Sequence, residues 1–111
     1  MTERDPLFLR DILRAIAAIE RYTRKGREAF FADDMVQSAV VRQLEVLGEA
    51  ARNVSPALRE AEEVVPWKLL IGTRDHLIHG YFKVDLDVVW AIVENDLAPL
   101  KREIARIVGE T

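Results

Sequence analysis

Three stretches of this chain place apolar residues at steps of three and four, and that spacing commits the chain to helices. In the first, Phe8, Ile12, Ile16, Ile19 and Tyr22 share a stripe. In the second, Val36, Val40, Leu44, Leu47, Ala51 and Val54 do so. In the last, the stripe is Val88 or Val89, then Ile92, Leu97, Leu100, Ile104 and Ile107. No strand-like alternation persists anywhere, so no sheet is expected. Punctuation agrees with the stripes. Asp5-Pro6 suits a helix start, with Asp as N-cap and Pro in the first turn. Gly26 after Arg24-Lys25 suits a stop. Asp33 or Asp34 caps the second long helix, and Asp85 or Asp87 the last. Between these two, a short helix is expected from Pro56 to Glu63, and another from Pro66 through Lys68 toward His79, threatened by Gly80. Pro99 lies inside the last helix, where it removes a backbone hydrogen bond, so a kink is expected over Asn95 to Pro99. The sum is a single all-α domain over residues 1–111, a bundle of about five helices.

Composition narrows the setting. Half of the 111 residues are hydrophobic, enough for a core. At this size a core is only modestly self-sufficient, so self-association would add useful burial. There is no cysteine, hence no disulfide framework and no thiolate metal site. The N-terminus lacks the apolar segment of a signal peptide, and no apolar run approaches the roughly 18 residues of a membrane span. A cytoplasmic protein with no membrane partner is expected. The net charge of −3 argues against a generally basic nucleic-acid binder, though not against a local basic site.

Residues 74 to 81 read R-D-H-L-I-H-G-Y and hold both histidines of the protein. Trp67, Leu70, Ile71, Leu77, Ile78 and Tyr81 share a helical stripe in which position 74 should be apolar, yet it is Arg74. A charge on a core-facing stripe is costly unless paired, or unless its head snorkels to water. The functional alternative is a guanidinium facing a polar cleft or a dimer partner, ready for an anion such as phosphate. Asp75 stands four residues before His79 and is able to orient its imidazole, or else forms a surface pair of little worth. His76, His79 and Asp75 offer three metal ligands, but Asp75 and His76 point about 100° apart on a helix. No fourth ligand is evident, so neither a metal nor any other cofactor is expected. On one straight helix Arg74 and His79 would be about 140° apart. They converge only if the last turn distorts or if two copies of the motif meet across a dimer.

Arg74, four residues, then His79-Gly80-Tyr81 resembles the R-X4-H-X-Y motif of HepT-like toxins in the HEPN superfamily. Asp75 takes the polar place after the arginine, where asparagine is commoner. The resemblance extends to A-V-V-R-Q-L-E-V-L-G-E-A-A at 39–51, P-W-K-L-L-I-G-T-R at 66–74, Y-F-K-V-D at 81–85 and D-L-A-P-L at 96–100. It implies a HEPN-like bundle paired as a homodimer, with the two motifs near the interface. It implies metal-independent RNA cleavage, and a small nucleotidyltransferase antitoxin that silences the toxin by transferring AMP to Tyr81.

On this footing the leading expectation is an endoribonuclease in which the RNA 2′-hydroxyl is the nucleophile. His79 is the acid–base candidate, since its unperturbed pKa lies near ~6.5. Arg74 would stabilise charge on the phosphorus. Asp75 and His76 are supporting residues, Tyr81 contacts RNA or carries the AMP, and Lys68 and Lys83 flank the site as RNA-binding candidates, with Arg42 or Arg52 able to join them. Such a patch predicts weak, salt-sensitive binding. Two rivals stand beside it. One is a non-catalytic nucleotide-binding partner of a nucleotidyltransferase, with Arg74 gripping a phosphate. The other is a structural helical dimer in which Arg74 pairs with a carboxylate, Glu49 being one candidate.

Overall fold

Asp5 and Pro6 do open a helix, α1 (Asp5–Tyr22), but Asp5 is its first residue and Arg4 is the N-cap. The computed structural model describes residues 1–73, 78–79 and 83–109, with Ile78, His79 and Lys83 described through their backbone alone. Along the chain follow α2 (Arg27–Ala32), α3 (Asp34–Asn53), α4 (Pro56–Ala61), α5 (Trp67–Ile71), a two-residue ladder of β1 (Ile78–His79) and β2 (Lys83–Val84), α6 (Leu86–Ala91), a π turn (Ile92–Asp96) and α7 (Leu97–Gly109). The architecture is an all-α bundle.

The three stripes meet as the core. Leu9, Ile12, Ile16 and Ile19 of α1 pack with Val40, Leu44, Leu47 and Ala51 of α3 and with Leu100, Ile104 and Ile107 of α7. The first stripe is phased differently from the expectation. Leu9 is fully buried in place of Phe8, which is half-buried beneath the Arg4 guanidinium, 5.4 Å from its ring. Tyr22 is 37% exposed. Burial repeats at 9, 12, 16 and 19, and Phe8 lies about 100° around the helix from Leu9.

The caps follow side-chain chemistry. Asp33 Oδ1 accepts from the backbone N–H of Met35 (3.0 Å) and Val36 (3.3 Å). Asp85 Oδ1 accepts from those of Asp87 (3.1 Å) and Val88 (3.3 Å). Each satisfies donors that a helix start leaves unpaired. Helix α2 was not expected from its short apolar content. It begins after Gly26, whose φ of 94° favours glycine, and the Gln37 side-chain amide holds it by donating to the carbonyls of Phe30 and Phe31.

The last helix is irregular just upstream of Pro99. A π turn spans Ile92–Asp96, with the Leu97 N–H bonded to the Ile92 carbonyl five residues back. One extra residue is thereby accommodated upstream of the proline, where the regular ladder would otherwise meet its ring. Two exposed ion pairs fix the direction of α7. Lys101 Nζ lies 3.0 Å from Glu20 near the end of α1, and Arg106 lies 2.6 Å from Glu62 beyond α4. Helix α7 therefore runs antiparallel to α1.

Candidate functional site

Helix α5 leads to the motif, and its seat is determined by one glycine. Gly48 of α3 is buried, and a Cβ built on it would stand 2.8 Å from the Leu70 carbonyl oxygen. Only glycine admits the α5 backbone at this distance. The start of α5 is fixed by Trp67, whose Nε1 donates to the Glu62 carbonyl at 3.0 Å. Beyond its end, Thr73 is buried and its hydroxyl donates to the Leu69 carbonyl at 2.8 Å. The residue before Arg74 is thus held firmly against the core.

The expected helix from Pro66 toward His79 is corrected at its far end, while residues 74–77 lie outside the described residues. Helix α5 ends at Ile71, and Ile78–His79 is extended. It pairs antiparallel with Lys83–Val84, Ile78 opposite Val84 and His79 opposite Lys83. The β-branched Ile78 and Val84 suit a strand, a preference that the apolar spacing did not reveal. The separation of about 140° between Arg74 and His79 on a straight helix does not arise, because His79 is not helical. Arg74, Asp75, His76 and Tyr81 lie outside the described residues, as do the side chains of His79 and Lys83. The pairing does set His79 directly across from Lys83, two of the residues singled out from sequence.

Lys68 is exposed on α5. Arg42 does not join it. It lines a separate small cleft between α1 and α3 with Phe8, Asp11 and Glu49, and its guanidinium lies 3.8 Å from Glu45. On α3 it stands about 200° around from Leu44, which faces the α5 side. Glu49 lines that same small cleft.

Beside α5 runs an apolar groove of about 740 Å³, floored by Leu70, Thr73, Leu97 and Leu100. Val64 and Leu69 on its edge are 64% and 51% exposed. Sequence periodicity missed it, because these two residues lie off the core stripes. Among the described residues no group of three or more histidine, aspartate or glutamate side chains is placed to hold a metal ion, and no helix is long and apolar enough to cross a membrane.

The sequence model of the family described as "Ribonuclease HepT-like" matches residues 12–107. A Thermococcus cleftensis protein named "Probable ribonuclease HepT" is 39% identical over 101 residues, covering 90% of this chain and 92% of that protein. A Methanocaldococcus jannaschii protein named "Gamma-glutamylcyclotransferase and putative RNase" is 41% identical over 105 residues. The match takes in 94% of this chain but 47% of that longer relative, so the chain spans about half its length. A second protein of that organism, named "Putative RNase", is 38% identical over 106 residues, 94% of this chain and 97% of its own. No solved structure gives a significant match.

Proposed function

The chain belongs to the HepT-like ribonuclease family, and from that premise we propose that it is an RNA endonuclease that needs no metal and serves as the toxin of a toxin–antitoxin pair in the cytoplasm. The observation that carries the reading is the family match over residues 12–107, which includes an intact Arg74, His79 and Tyr81.

The chemistry follows from the residue types. The ribose 2′-oxygen attacks the adjacent phosphorus, the bond from phosphorus to the 5′-oxygen breaks, and a 2′,3′-cyclic phosphate remains. A proton leaves the 2′-hydroxyl and another reaches the departing 5′-oxygen. His79 serves one of these transfers, a contribution of about 10²–10⁴-fold. Arg74 stabilises the charge gathered on the phosphoryl oxygens of the five-coordinate transition state. Asp75 and His76 support the imidazole, and Lys68 and Lys83 hold flanking phosphates.

Two copies pair, and the apolar groove along α5 with its exposed Val64 and Leu69 is a surface that such pairing would cover. A nucleotidyltransferase partner transfers AMP to the Tyr81 oxygen, releasing pyrophosphate from ATP, and the bulky anionic adduct occupies the RNA site.

The test is cleavage of RNA in EDTA by wild type and His79→Ala, with mass spectrometry of the product ends. Cleavage by wild type alone, leaving 2′,3′-cyclic ends, supports the reading. Equal cleavage by both proteins removes His79 from the mechanism. Nucleotide binding without cleavage by protein whose Tyr81 is unmodified favours a nucleotide-binding partner instead.

A further inference from the structure

The turn between α1 and α2 carries Arg21, Arg24, Lys25 and Arg27, four cations in seven residues of a protein whose net charge is −3. All four are exposed. Some cations elsewhere are matched: Arg14 with Asp11, Arg42 with Glu45, Lys101 with Glu20, Arg106 with Glu62 and Glu103. No carboxylate among the described residues pairs with any of the four in the turn. Glu28 is the one acidic residue between 21 and 32, and Glu20 beside them is engaged by Lys101.

The turn also offers flat surfaces. The half-open ring of Tyr22 lies 5.9 Å from the Arg21 guanidinium, and Arg27 sits 4.6 Å from the ring centre of Phe31. Guanidinium groups held over aromatic rings keep their donor edges free for an anion while their faces are covered. Unpaired cations interleaved with exposed aromatic surface suit a single-stranded nucleic acid, whose phosphates and bases alternate in the same way. An acidic protein surface would call for the cations but not for an exposed tyrosine among them.

Position connects this turn with the motif. Phe30 of α2, one helical turn after Arg27, packs on Trp90 of α6 with ring centres 5.3 Å apart. Helix α6 begins two residues after the β2 strand that pairs with His79. The basic turn and the His79–Lys83 ladder are therefore at the same end of the bundle. The opposite end, where Asp5 meets Ser55, also carries exposed cations, Arg4 and Arg52, but each has an exposed acid close by in sequence, Glu3 and Glu49.

We infer that the α1–α2 turn is a second RNA contact, a phosphate track formed by Arg21, Arg24, Lys25 and Arg27 with Tyr22 as a base platform, which holds the strand running out of the motif. The choice of RNA as the occupant rests on the nuclease reading. It explains how an acidic protein retains a polyanionic substrate when Lys68 and Lys83 alone would provide little neutralisation.

The test uses the full chain and a short fluorescein-labelled 2′-O-methyl oligoribonucleotide, which lacks the attacking hydroxyl and stays intact. Anisotropy titrations across a salt series compare wild type, R24Q/K25Q and Tyr22→Ala, each checked by thermal melting for an unchanged fold. R24Q/K25Q is expected to bind more weakly and with a slope of log affinity against log salt shallower by about 1.4, at roughly 0.7 per lost phosphate contact. Tyr22→Ala is expected to weaken binding with the slope unchanged. A wild-type slope in R24Q/K25Q overturns the inference. So does displacement of the oligonucleotide by a hexaglutamate peptide at equal charge, which would assign the turn to an acidic protein partner. Parallel cleavage assays on unmodified RNA separate the two ideas. Cleavage with an unaltered R24Q/K25Q slope sinks the turn alone, whereas patch-dependent binding without any cleavage sinks the nuclease and keeps the turn.

Discussion

Asp5 and Ser55, fifty residues apart, are joined by two hydrogen bonds: the Ser55 backbone N–H donates to Asp5 Oδ1 at 2.8 Å, and the Ser55 hydroxyl donates to Oδ2 at 2.7 Å. Ser55 is the N-cap of α4, its hydroxyl oxygen accepting from the Leu58 N–H at 3.3 Å. The Thr2 N–H adds a further bond to Asp5 Oδ2 at 2.9 Å. One fully buried carboxylate thereby fastens the start of α1 to the start of α4.

Burial by itself would push the Asp5 carboxyl upward, but the bonds from Ser55 and Thr2 outweigh it and hold its pKa below the ordinary 3.8. A depressed carboxylate pKa contributes stability above its unfolded value and loses it as pH falls through the folded one. Asp5→Ala is expected to cost about 1.5–3 kcal/mol at neutral pH, the range for hydrogen bonds to a charged group. In urea titrations the gap between wild type and Asp5→Ala should narrow below about pH 4. A gap that stays constant down to the acid limit would mean that the carboxylate charge contributes nothing.

Gly48→Ala places a methyl group against the Leu70 carbonyl at a distance no real contact tolerates, so α5 must shift. The expected cost is about 1–3 kcal/mol in chemical denaturation. Because Thr73 and the motif follow α5, RNA cleavage should fall even under conditions where the variant remains folded. Full activity in a folded Gly48→Ala would show that the α5 seat does not govern the site.

Arg74→Ala is expected to lower kcat by about 10²–10³-fold, the range for removing one donor to a developing oxyanion. Arg74→Lys keeps the charge and loses the planar fork, so it should recover only part of this. A loss confined to KM would instead make Arg74 a ground-state phosphate grip.

Tyr81→Phe should retain cleavage while abolishing AMP incorporation by a cognate nucleotidyltransferase, read as the absence of a mass increase in the intact protein. Incorporation that persists in Tyr81→Phe would place the acceptor on another residue.

Much of the bundle was legible because helix stripes and caps are local signals. The core positions of α3 and α7 follow from spacing alone, and side-chain chemistry narrows the caps of α3 and α6 to Asp33 or Asp34 and to Asp85 or Asp87, of which the structure uses Asp33 and Asp85. What sequence missed depends on tertiary contacts. Helix α2 is too short to show a period and is held by Gln37 from another helix. The return at His79–Lys83 was concealed by apolar residues whose spacing fits either a helix or a strand. Asp5 read as an ordinary cap because nothing local reveals a partner fifty residues away. Within the motif, sequence resemblance singles out Arg74 and His79, and the structure contributes the backbone frame on both sides of them.

The π turn at Ile92–Asp96 has a bearing on how relatives of this chain are compared. One additional residue in an otherwise continuous helix advances everything after it by about 100°. Trp90 and Val89 therefore address α2 and the core on one phase, while Leu97, Leu100 and Ile104 address α1 and α3 on another. A relative lacking that single residue would preserve every helix and yet present the α6 side chains to different neighbours. In such a protein the segment feeding from His79 and Lys83 into α6 would approach the bundle from another direction, so a one-residue gap in an alignment at this point marks a reoriented site rather than a trimmed loop.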